Sequence, residues 1–493
     1  MPLVESNRSK CAAVGEQPAA AIHAGLVAMP EDAESYSALP AASNDDNLQG
    51  VTATESPDVQ PEESTVSEES KKQQRRYYWT MALLNLLETG AAAGVSKFTP
   101  LFLAARGLDV AQVGVVLAVA QVCRFLGGLV FGRVADRTGR FRGVLLGTNL
   151  ISVALALATT SLVAPWRGLE GWVRVAALAL LTDGYAFFTS PSGTLIDAIA
   201  VVAQTRGGAS YGSLRLWAAI GWGLAAVGMG AGVDRYGFSS VFIAYAVGTG
   251  LSSVLVVACF ENPKKKPSRA DDATAAPLAT VFLVAPVPLY FLNFFVHGCL
   301  AAFVESYLLL FVATEWPATP NWFLGLLILI AAIFEIPVFL YANRVIDRIG
   351  VRACLVGAQL LFALRCAAYA TLARYAKSTH GYLWFVLLEP SHALTFAMMW
   401  SAAVEYARRA APPERQGTAQ ALVRGAYYYL GVGTGSIIGG RVIRARGYEF
   451  LYEVGAAAMI GWAAVWAVLL AVSRRRRPAD SLREGLLEDA GLS

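Results

Sequence analysis

The sequence predicts an all-α membrane protein whose twelve transmembrane helices form two pseudo-symmetric six-helix bundles. Three observations predict it: an apolar composition, apolar blocks of membrane-crossing length, and a short charged segment that recurs in both halves. The chain of 493 residues is 56% hydrophobic and only 15% charged, with a mean hydropathy of +0.48. Soluble domains carry about a quarter of their residues as charges. The apolar residues come in blocks of roughly 20, enough to cross a hydrocarbon layer about 30 Å thick as a helix. Only helices and closed barrels satisfy their backbone groups there, and the ~10-residue alternation of barrel strands is missing.

The expected spans are 77–104, 111–131, 143–163, 172–202, 214–232, 239–260, 281–312, 322–343, 353–373, 382–406, 417–440 and 449–473. Residues 1–76 are rich in Ala, Ser, Glu, Asp and Pro and are expected to form a disordered cytosolic tail. That tail has no charged segment leading into an apolar run, so no cleaved leader is expected. Two bundles, 77–260 and 281–473, flank a cytosolic linker at 261–280 that carries Lys264-Lys265-Lys266, and residues 474–493 form a second tail. With the N-terminus cytosolic, the flanks on that side hold 24 Lys and Arg against 9 on the other. The positive-inside rule then places both termini in the cytosol. The six cysteines form no CxxC pair and five lie in apolar segments, so they read as reduced packing residues. No nucleotide-binding loop, nucleophile triad or metal spacing is present in the sequence, which argues against an enzyme and against any cofactor or metal.

The recurring segment is Gly132-Arg133-Val134-Ala135-Asp136-Arg137-Thr138-Gly139-Arg140-Phe141-Arg142, between spans 2 and 3. It is echoed by Asn343-Arg344-Val345-Ile346-Asp347-Arg348-Ile349-Gly350-Val351-Arg352 between spans 8 and 9. A repeat at equivalent places points to duplication of a six-helix unit. This segment resembles the cytosolic signature of the major facilitator superfamily. The resemblance implies that fold, and implies that Asp136, Arg137, Arg140, Asp347 and Arg348 form a cytosolic gate. A carboxylate among arginines at helix ends can bridge neighbouring helices until transport breaks the bridge.

A second stretch, Tyr211-Gly212-Ser213-Leu214-Arg215 through Trp222, is similar to the corresponding segment of the lactose permease branch. That resemblance makes Asp197 and Arg215 a pair that binds substrate, with Trp222 stacking on its apolar face. Arg365 matches the branch's buried arginine of the ninth helix. The chain departs at span 10, where His392 is followed at the family's spacing by Thr395 while Glu389 lies before it. The proton carrier is left open between Glu389 and Glu335.

An ionisable group at mid-bilayer costs a few kcal/mol or more unless paired or wetted. Counting along each span puts Glu88, Arg124, Asp183, Glu335, Arg365 and His392 near mid-depth, so they are expected to face a central cavity. Expected pairs are Glu335 with Arg365, and Asp183 with Arg124 near Glu88. Lys97 and Glu305, near the outer ends of their spans, read as an anchor and a residue without a role, and His297 as packing. The expected function is alternating-access, proton-coupled symport of a small polar organic solute of sugar, glycoside or nucleoside type. Arg365 and His392 would bind solute from the second bundle. The partners are then that solute, protons and the lipid bilayer, with no nucleic acid, and the chain acts as a monomer. An uncoupled facilitator and a transporter-like receptor or scaffold are the alternatives.

Overall fold

In the computed structural model the backbone is described for residues 62–161, 171–207, 211–259, 287–411 and 416–475. Side chains are described for these except 62–71, 74, 161, 194, 197–207, 211–215 and 474–475. Every regular element among them is helical. The first set is α1 (Glu62–Ala105), α2 (Val110–Thr138), α3 (Phe141–Ser161), α4 (Gly171–Gly207), α5 (Tyr211–Tyr236) and α6 (Ser239–Cys259). The second is α7 (Val287–Glu305), α8 (Leu308–Glu315), α9 (Asn321–Tyr375), α10 (Phe385–Leu388), α11 (Met398–Ala410), α12 (Gln416–Arg424) and α13 (Gly433–Arg475). A 3-10 turn, Gly381–Trp384, precedes α10, and π-helical stretches Ala393–Ala397 and Gly425–Val432 lead into α11 and α13.

Seven described segments are long and apolar enough to cross a membrane. Two of them, Asn321–Tyr375 and Gln416–Ser473, each contain two of the expected spans. Glycines in left-handed backbone divide them, Gly350 at φ 84° and Gly447 at φ 82°. Gly139, which ends α2 at φ 66°, occupies in the first half the place that Gly350 holds in the second. The two copies of the charged segment thus share a backbone feature that only glycine adopts without strain. One boundary differs from expectation: α1 begins at Glu62 rather than at 77. The intervening Glu, Lys, Gln and Arg are good helix formers, and they extend a helix already nucleated in the apolar span.

Large apolar side chains such as Leu150, Leu180 and Leu364 point outward and are exposed, as a lipid-facing surface requires. Within the first set α1 packs on α5 and α6, and α2 and α3 on α4. Within the second, α9 packs on α11 and α13, and α7 on α13 and the Gly425–Val432 stretch. The sets meet where α5 runs along the first arm of α9 and α2 along α13. Gly325 lies against the Ala226 carbonyl and Gly230 against that of Asn321, so any side chain at either position would collide with backbone.

This contact is reinforced at one end. Asp234, closing α5, accepts from the Asn321 amide (2.8 Å), the Asn321 side chain (2.8 Å) and the Trp322 amide (2.9 Å). A carboxylate from one set therefore caps the helix N-terminus of the other. At the same end Arg444 stands 3.8 Å from Asp109, which also caps α2 through its own amides. At the opposite end no hydrogen bond or ion pair joins the sets among the described residues. Losing a cap of this kind costs about 1 kcal/mol, roughly fivefold in an equilibrium. Asp234→Ala should therefore speed maleimide labelling of a cysteine placed at Gln121, which lines the space between the sets, applied from the Asp234 face, by about that factor. The assay uses a background whose native cysteines are replaced.

Candidate functional site

Between the two sets lies a cavity of about 490 Å³. Its wall takes Lys97 from α1, Gln121 and Arg124 from α2, Tyr185 from α4 and Trp222 from α5. It takes Glu305 from α7, Glu335 and Arg365 from α9, and Glu389, His392 and Tyr428 from the broken helices that follow. The predicted convergence of charges from both halves is present.

Arg365 is the centre of the arrangement. Its Nη2 donates to Glu389 Oε2 at 2.9 Å, its Nε to the Tyr369 hydroxyl at 2.7 Å, and its Nη1 meets His392 Nδ1 at 2.7 Å. The Tyr369 hydroxyl in turn donates to Glu389 Oε1 at 2.6 Å. Both oxygens of Glu389 therefore accept, as an ionised carboxylate does. The Arg365 and Glu389 side chains are only 1% and 3% exposed. A guanidinium has no lone pair to offer, so His392 Nδ1 must be the acceptor and the ring proton sits on Nε2. That nitrogen stands 3.2 Å from Glu335 Oε1 and 3.6 Å from Glu305 Oε1. His392 is thus a neutral ring, and its 3.2 Å approach to Glu335 is not an ion pair.

Several expectations are corrected here. Glu335 does not pair with Arg365 directly; Glu389 takes that place. Pro390 has no amide to continue the helix, and the chain turns at 389–390, bringing Glu389 within reach of the guanidinium. Arg124 and Asp183 form no ion pair, and Glu88 accepts from Ser252 at 2.5 Å in a separate polar core of the first set. Lys97 is no surface anchor and Glu305 is not without a role. Lys97 Nζ donates to Glu305 Oε2 at 2.7 Å, an ion pair that bridges the two sets inside the cavity. The sequence held a signal for it, since each residue lies near the same end of the first span of its half, with opposite charge. Tyr369 carried a signal too, one turn from Arg365 at i and i+4.

His297 packs between Phe362 and Tyr427, at ring distances of 5.8 and 6.1 Å, as expected of a packing residue. Trp222 lines the cavity. The side chains of Asp197 and Arg215 lie outside the described residues; their backbones belong to α4 and α5. The expected gate is unjoined. Asp136, Arg137 and Arg140 are exposed with no ion pair among the described residues, as is Arg348, while Asp347 accepts from Arg409 of its own set at 3.1 Å. These residues stand at the end where, among the described residues, no hydrogen bond or ion pair joins the sets.

A multi-pass helical membrane protein that walls an ionised cavity between two helical sets is a transporter. The chain belongs to the MFS_1 like family of the major facilitator superfamily, whose profile matches residues 78–454. It is 26% identical over 338 residues to the maltose permease of Geobacillus stearothermophilus, covering 68% of this chain and 80% of the relative. It is 25% identical over 368 residues to the "Probable 3-phenylpropionic acid transporter" of Escherichia coli (strain K12), covering 72% of this chain and 86% of that one. Among solved structures the nucleoside transporter NupG superposes with a TM-score of 0.63 at 16% identity. That match covers 80% of this chain and 98% of the other.

Removing one partner of a buried ion pair leaves an uncompensated charge and costs about 3 kcal/mol or more, whereas replacing both is close to neutral. Glu389→Gln should therefore lower the thermal midpoint of the purified protein sharply. The double change Arg365→Met with Glu389→Leu should recover most of the loss, as read by thermal unfolding in detergent.

Proposed function

We propose that the protein is an alternating-access symporter that couples protons to a small polar organic solute. In this reading it crosses the membrane twelve times with both termini cytosolic and works as a monomer. The observation that supports the coupling is the neutral His392 ring held between the Arg365 fork and Glu335 at the cavity wall. Glu389 already accepts from two donors and its side chain is only 3% exposed. Glu335 is partly exposed, at 23%, and among the described residues its ion-pair-range neighbour is the neutral His392 ring. The proton is therefore assigned to Glu335, with Glu389 fixing Arg365.

The physical cycle follows from desolvation. Closing the open face dries the cavity, and an ionised Glu335 with a neutral partner would then be stranded in low dielectric. Protonation removes that cost, so the protonated, loaded carrier is the form that closes. The solute is taken between Trp222 on α5 and the His392–Arg365 side, with Asp197 and Arg215 assigned to it by resemblance. Asp136, Arg137, Arg140, Asp347 and Arg348 are then the residues that latch the open face in the alternate state. The names of the relatives, for maltose, 3-phenylpropionate and nucleosides, support a small organic solute without choosing among these.

Proteoliposomes given an inward proton gradient should accumulate maltose, 3-phenylpropionate or uridine above equilibrium. Glu335→Gln should abolish that accumulation and leave counterflow of the same solute intact. Accumulation by the native protein that ignores the gradient would reduce it to a facilitator and end the proton assignment.

A further inference from the structure

We infer that the solute is a monocarboxylate and that Arg124 binds its carboxylate; the inference rests on the transport reading above. Each other basic group described on the cavity wall has an acid beside it. Lys97 has Glu305 at 2.7 Å, and Arg365 has Glu389 at 2.9 Å. His392 has Glu335 at 3.2 Å. Arg124 lines the same cavity, yet among the described residues no carboxylate lies within ion-pair distance of its guanidinium. Its main-chain carbonyl accepts from Ser190 Oγ at 2.5 Å, while among the described residues no hydrogen bond of its guanidinium is seen. Asp183, buried on α4, attracts Arg124 through space but makes no ion pair or hydrogen bond with it, so the guanidinium fork itself stays unmatched.

A guanidinium on a membrane cavity wall is costly unless something neutralises it, and the cost rises when the cavity closes. The group that matches its planar fork is a carboxylate, held by two parallel hydrogen bonds. Gln121 lies three residues before Arg124 on the same helix face and also lines the cavity, so its amide can donate to one of the same oxygens. Tyr185, Trp222 and Tyr428 supply aromatic walls around the remaining space. The solute this selects has one carboxylate at one end and an apolar or aromatic body within about 490 Å³. A neutral polyol or nucleoside would leave Arg124 uncompensated in the closed state.

The test is calorimetric binding to the purified full-length protein, with benzoate, phenylacetate and hexanoate each compared with its uncharged primary amide. The acid should bind roughly ten- to hundredfold more tightly than its amide, the worth of hydrogen bonds to a charged group. Arg124→Gln should remove that preference, and Arg124→Lys, which keeps the charge without the fork, should retain part of it. The acid–amide comparison in the native protein does not depend on any variant folding. Equal binding of acid and amide, no binding of any of the three acids, or a preference unchanged in a folded Arg124→Gln protein would overturn the inference. The two readings fail separately. Gradient-driven uptake of maltose with no carboxylate binding would sink this inference and leave symport standing. Carboxylate selectivity without gradient-driven uptake of benzoate, phenylacetate or hexanoate would do the reverse.

Discussion

The Arg365 guanidinium is the constraint on which the cavity is organised. It cannot give up its proton, so its burial commits neighbouring groups to accept from it. Glu389, Tyr369 and His392 do so from two directions, and the tautomer of His392 follows from the donor at its back. From there the consequence passes to Glu335, which faces a donor that carries no charge. One permanently charged side chain thus decides which carboxylate is locked and which is free to change.

The same accounting explains why the two helical sets can move against each other. Their shared surface is glycine-rich where α5 meets α9, and among the described residues its polar reinforcement there lies at the Asp234 end. Inside the cavity the sets are tied only by Lys97 and Glu305 among the described residues, both 22% exposed and so within reach of water. A wet ion pair is held by well under the energy of a dry one and can open without stranding either charge. The dry pair, Arg365 with Glu389, lies wholly within one set and need not break.

Much of this is legible in the sequence, for definite reasons. Membrane spans are dictated by hydropathy, so the order of helices can be read, and the Gly139 and Gly350 echo marks the two halves. That Arg365, Glu389, His392 and Glu335 share a cavity follows from their depth and from the cost of facing lipid. Which of them touch does not follow. Pairing depends on rotation about each helix axis, and the turn at Pro390 together with the π-helical stretches resets that rotation in a way a steady 3.6-residue count misses. Lys97 and Glu305 escape the sequence for another reason. Each, taken alone, belongs to its nearest membrane boundary, whereas they are explained only as a pair contributed by two halves.

The π-helical stretches have a mechanical consequence of their own. A π turn holds one residue more than an α turn, and the surplus can be handed along the helix one position at a time. Each such step turns the residues it passes by about 100° while the helix on either side stays where it is. His392 borders one stretch and Tyr428 lies within the other, and both look into the cavity. The lining of the chamber can therefore be re-dealt, swapping which side chains it presents, by a travelling kink inside two helices whose ends never shift.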